Sequence, residues 1–121
     1  MQNKFDLEDR LIEYTVSIAT ITELLPHNRI GIYLSDQLTR SGMSPALTYG
    51  EAQGAESRAD FIHKMKVALK ELRESLISLK IIDRHKLLKE NCSLSKVIDE
   101  TNQLISIFVK SIQTAKNNKY K

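Results

Sequence analysis

Hydrophobic residues return along this chain at intervals of three and four, the repeat of one face of an α-helix. In the first segment Leu7, Leu11, Tyr14, Ile18, Ile21 and Leu25 are spaced 4, 3, 4, 3 and 4 apart. Asp6 is placed to cap this helix, and Glu8 and Asp9 in its first turn complement the helix dipole. Pro26 ends it, because the residue before a proline is driven out of the α region. A later segment repeats the pattern with Ile62, Met65, Leu69, Leu72, Leu76 and Leu79. Ser57 and Asp60 form a variant of the capping box at its start, and Gly54 suits a left-handed close to the helix before it. The last segment reads Leu94, Ile98, Thr101, Ile105, Phe108, Ile112 and Ala115, reached through a charged link over 83–92 that runs into Asn91-Cys92-Ser93.

The remaining segment begins helically with Ile30, Tyr33, Leu34 and Leu38. Pro45 then removes a backbone donor and crowds the carbonyl four residues earlier, so a kink or break is expected near Ser41. Small residues beyond it (Gly50, Ala52, Gly54, Ala55) allow close helix approach, which favours a kinked helix over a linker. The pattern predicts one all-α domain, an antiparallel up-down four-helix bundle with helices at about 6–25, 28–53, 57–82 and 93–116. Helices of roughly 20 residues span about 30 Å, and connections this short force neighbours to run antiparallel.

Composition supports a few long elements. The 121 residues hold only 4 Gly and 2 Pro, too few for a turn-rich β architecture. A hydrophobic fraction of 41% and a charged fraction of 27% are ordinary for a globular protein and leave enough apolar material for a core without disulfides or metal. The net charge of +3 is a mild basic bias that permits an anionic partner without demanding one. Lys110, Lys116, Lys119 and Lys121 crowd the end of the chain without an acidic residue, as in a frayed, solvated tail. Cys92 is alone, so no intrachain disulfide or thiolate cluster can form. The first residues lack the basic-then-apolar order of a signal peptide, and the longest apolar stretch, Leu104 to Val109, is broken by Ser106. It falls far short of the roughly 20 residues of a membrane span. A cytoplasmic protein without membrane contact is expected.

Catalytic and metal chemistry find no purchase. A di-iron bundle needs Glu-x-x-His on two helices, and the chain has none. Asp60 and His63 are the nearest pair, with Asp60 better explained as a helix-start residue. His27 and His85 fall at helix ends, Cys92 has no ordered base nearby, and no glycine-rich phosphate loop follows a strand. No catalytic residue, cofactor or metal ligand is expected.

A basic row is more informative. Lys66, Lys70, Arg73, Lys80 and Arg84 recur at helical spacing beside the apolar stripe, interrupted by Ile77. Such a row can follow a phosphate backbone, or it can be a solvated face whose long stems shelter the core. Apolar residues also exceed the stripe a bundle helix needs, with Ile12, Val16 and Ala19 in the first helix and Leu104, Ile107 and Val109 in the fourth. The surplus points to a second buried contact, most simply another subunit.

The middle of the chain carries a resemblance. Gln37-Leu38-Thr39-Arg40-Ser41, Ser44, then Glu51 through Phe61 and Ala68 through Ser75 resemble the bacterial four-helix bundle proteins also encoded in intervening sequences of large-subunit ribosomal RNA genes. The resemblance implies an up-down bundle assembled into a ring, a pentamer by preference, with RNA as the candidate ligand and no established activity. A related accessory protein of diversity-generating retroelements forms such a ring and engages nucleic acid and a reverse transcriptase. Arg40, Glu51, Glu56 and Arg58 match the recurrent charged positions of the family, which implies packing or subunit contacts for them. Thr48 stands where the family usually has Asn, and Pro45 where an aliphatic is commoner. Two functions remain open at this point. One is a non-catalytic ring that binds RNA or DNA through Lys66, Lys70, Arg73 and Lys80. The other is an oligomeric scaffold for a protein partner, with no nucleic-acid role.

Overall fold

The computed structural model describes residues 6–89 and 92–117. Among them the chain forms four helices and no strand: α1 (Leu7–Leu24), α2 (Arg29–Gln53), α3 (Arg58–Arg84) and α4 (Leu94–Asn117). The starts follow side-chain chemistry. The Asp6 carboxylate accepts from the Asp9 amide at 3.2 Å, Asn28 from Gly31 at 2.9 Å, and Ser57 from Asp60 at 3.0 Å. Each satisfies an amide that the helix itself leaves without a partner. Asp60 returns the favour one residue further back than the usual box, accepting from the Glu56 amide at 3.2 Å. That bond, and then Lys64, hold the Asp60 carboxyl below the usual carboxylate range.

Three expectations need adjustment. Gly54 closes α2 with φ −102° instead of a left-handed angle. Its amide and that of Ala55 turn back to Glu51 and Ala52 at 3.0 and 3.1 Å, so a tightened last turn satisfies the end carbonyls. Second, of the kink or break expected near Ser41 there is no break, and α2 runs as one helix, not a linker, through the buried Pro45. Third, Lys110 and Lys116 belong to α4, not to a frayed tail, while Asn91, Lys119 and Lys121 lie outside the described residues.

Helices next to each other in sequence pack side by side, α1 on α2, α2 on α3 and α3 on α4, and α1 meets α4 over a much shorter seam. The whole predicted α1 stripe, Leu7 to Leu25, is buried. In α3 the buried line is Met65, Ala68, Leu72, Ser75, Leu79 and Ile82, while the expected core residues Ile62, Leu69 and Leu76 are only half-buried. In α4 likewise Val97 and Leu104 are buried and Ile98 and Ile105 half-buried, so Leu104 serves this chain's own core and not a second contact. Tyr49 of α2 crosses the core to meet Phe108 of α4 edge-on, with ring centroids 6.1 Å apart. Gly42 lets α2 approach α1 so closely that a Cβ there would lie 2.6 Å from Ile18.

A layer of hydroxyls crosses this core. Tyr14 of α1 and Thr101 of α4 share a 2.8 Å hydrogen bond, and Ser41 of α2 and Ser75 of α3 share one of 2.9 Å. Thr101 donates onward to the Val97 carbonyl at 2.7 Å. No buried side-chain polar atom is left without a partner among the described residues. Burial pushes the Tyr14 hydroxyl up to about 12, partly offset by hydrogen bonding to Thr101 and Ser75. The unfolded chain keeps the ordinary tyrosine value near 10. A folded value above the unfolded one means that stability from neutral Tyr14 is complete below pH ~10 and drains away between ~10 and ~12, by up to roughly 3 kcal/mol. Urea midpoints measured across that window should therefore fall with a steeper slope in the parent protein than in Tyr14→Phe. Parallel slopes would mean that Tyr14 titrates in the fold near its ordinary value, as it does in the unfolded chain.

Candidate nucleic-acid interface

The basic row takes its geometry from α3. Residues 66, 70, 73, 77, 80, 81 and 84 return to one stripe of an α-helix, and Lys66, Lys70, Arg73, Lys80 and Arg84 are all exposed on it. Helix α2 supplies a second wall. Gln37 and Arg40 face Lys66, Leu69, Lys70, Arg73, Glu74 and Ile77 across an open groove of about 640 Å³. Four cations and one carboxylate line it. Lys80 is not in this groove. It lies beyond Ile77 in a second concavity of about 530 Å³, with Ile81, Arg84 and His85. Ile77 lines both, so the two are continuous along α3.

None of these cations is spent on a salt bridge among the described residues, where the ion pairs are Arg10–Glu100 and Lys64–Asp60. Glu71 borders the groove, its carboxyl held above the usual range by burial first and by Glu74 second, with Lys70 and Arg40 pulling the other way. The cations of this face hold no ion pair among the described residues, and they share the surface with Glu74 and with two exposed isoleucines, Ile77 and Ile81.

Of the residues that the resemblance marked, the structure separates Arg40 from the others. Arg40 joins the basic groove. Glu51 ends on the exposed last turn of α2, Glu56 lies in the α2–α3 link, and Arg58 opens α3, all exposed. No side-chain ion pair joins these four among the described residues. The Asp60 oxygens are occupied by the Glu56 amide and by Lys64 at 3.2 Å, which leaves His63 without a carboxylate partner there. No group of three metal-ligating side chains converges among the described residues, and no helix there is long and apolar enough to cross a membrane.

The family described as 23S rRNA-intervening sequence protein matches residues 3–110 of the chain. The chain belongs to that family. Its fold is similar to a crystal structure from Bacteroides thetaiotaomicron, a protein with unknown function from the S23 ribosomal protein family. The two superpose with a TM-score of 0.80 at 27% identity, over 88% of this chain and 98% of that one. Comparison with curated proteins finds no match. Within this intervening-sequence protein, periodicity alone located the α3 row, because one helix carries it. Gln37 and Arg40 arrive from another helix, and only packing shows them opposite Lys70 and Arg73. A further contact far apart in sequence was equally silent: Arg10 of α1 grips Glu100 of α4 with bonds of 2.6 and 2.8 Å and also donates to Gln103 at 2.8 Å.

Proposed function

We propose that this protein is a non-catalytic, ring-forming antiparallel up-down bundle, a pentamer by preference, that binds RNA along the α2–α3 face. The observation that carries the RNA reading is the groove in which Arg40, Lys66, Lys70 and Arg73 stand together without ion-pair partners among the described residues. Cations on a rigid helix displace counterions from a phosphate backbone, and the released ions supply much of the affinity. Binding should weaken linearly in log–log form as salt rises, which filter retention of a labelled RNA across a salt series would show. Affinity indifferent to salt would sink the reading.

The up-down antiparallel topology is supported by three cross-helix pairings: Ile18 with Gly42, Ser41 with Ser75, and Tyr14 with Thr101. The first two join helices that follow one another across the short links 25–28 and 54–57, so the chain doubles back between them. The buried Pro45 supports a bend in α2.

Support for a ring comes from the far side of α1. Ile12 is 46% and Val16 54% exposed, one turn apart and away from the core, and Leu47 of α2 is 71% exposed. Apolar side chains so placed favour burial against another copy. Light scattering should give a mass near five times the 13.8 kDa chain. Ile12→Glu with Val16→Glu should reduce it to one chain while the helical signal persists. A double variant that keeps the parent mass would remove α1 from the interface. The scaffold reading draws its support from Ile77 and Ile81, which a protein partner could cover. An assembled ring that retains no RNA at low salt would favour it.

A further inference from the structure

The RNA face is not uniformly charged. Ile77, 56% exposed, and Ile81, 43% exposed, interrupt the cations of α3 one turn apart. On α2, Tyr33 is 59% exposed and precedes Gln37 and Arg40 at intervals of four and three, which puts it on the stripe that walls the groove. With α2 and α3 antiparallel about the Ser41–Ser75 bond, Tyr33 stands eight residues, about 12 Å, before that bond along α2. The same level on α3 lies beside Lys80 and Arg84. An aromatic ring and two aliphatic side chains thus sit among six cations: Arg40, Lys66, Lys70, Arg73, Lys80 and Arg84.

We infer that this face takes single-stranded RNA in preference to the duplex, an inference that rests on the RNA reading above. A duplex offers a helix face only phosphates, riboses and the edges of stacked bases. It would satisfy the cations and leave Tyr33, Ile77 and Ile81 uncovered against a highly charged surface. A single strand satisfies the same cations and also turns out base faces. Those can stack on Tyr33 and lie against the two isoleucines, an arrangement that tolerates any base sequence. Charge complementarity and apolar burial then act on one ligand.

The test compares a hairpin-free single-stranded RNA with the duplex formed by annealing it to its complement, by fluorescence anisotropy at fixed salt on the assembled protein. The single strand should bind at least about tenfold tighter. Tyr33→Ala with Ile77→Ser should lower single-strand affinity roughly tenfold, the loss expected of one stacked base. Duplex affinity and the salt slope should be unchanged, because no charge is altered, and Tyr33→Phe should retain the parent affinity. Equal affinities for the two forms, or a double variant that binds both as the parent does, would overturn the inference and leave salt-dependent RNA binding standing. Absence of binding to either form would remove the RNA reading itself. A change of oligomer mass in Tyr33→Ala with Ile77→Ser would assign the patch to a subunit contact and overturn the inference.

Discussion

Reversing Lys70 and Arg73 to glutamate should cost RNA affinity tenfold or more, roughly, and should do so alike for every RNA sequence. Both side chains line the α2–α3 groove, and both are exposed. Phosphate contacts carry no sequence information, so their loss weakens all ligands together. The slope of log affinity against log salt should flatten by about 1 for each lost contact. The bundle should stay folded, since neither side chain reaches the buried line of α3. Oligomer mass measured beside affinity separates two mechanisms. If the cations instead meet Glu51 or Glu56 of a neighbouring subunit, the ring should fall apart. Unchanged mass with unchanged affinity would reduce the row to a solvated face.

The largest effect on stability should come from Leu72→Ala. Leu72 has no exposed surface and sits in the middle of α3, between the faces that meet α2 and α4. Removing its branched end takes away transfer free energy and leaves a cavity that close-packed neighbours fill only in part. A loss of roughly 2–5 kcal/mol is expected from urea unfolding. Leu69→Ala should cost distinctly less, because Leu69 is half-buried on the groove wall. Equal losses at both positions would mean that α3 is rotated from the register described.

Periodicity resolved the helices because each needs an apolar stripe, and hydropathy marks a stripe of large residues well. The α1 stripe, all Leu, Ile and Tyr, shows this in full. The same signal misplaced the centre of α3, where the axis of burial passes through Ala68 and Ser75. Those residues are buried because they are small enough for close approach, a property that hydropathy ranks low. The pairing Ser41–Ser75 then satisfies hydroxyls that would be costly to bury alone. For the site, spacing found the cations of one helix and could not find the groove. Arg40 reaches Arg73 and Lys70 only through the packing of α2 on α3, as Arg10 reaches Glu100 only across ninety positions of sequence.

The short seam between α1 and α4 has a consequence for motion. Packing elsewhere in the bundle is extensive, whereas these two helices meet over few residues, at the Tyr14–Thr101 hydrogen bond and the partly exposed Arg10–Glu100 pair. Half-exposed ion pairs hold weakly and are screened by salt. Parting that seam breaks fewer contacts than parting any other, so the bundle should breathe there first, splaying α4 from α1 while α2 and α3 stay joined. Amides of α4 around Thr101 should exchange with deuterium sooner than those around Leu72, and sooner still as salt is raised. The basic groove proposed to bind RNA, carried by α2 and α3, would ride on the part of the molecule that opens last.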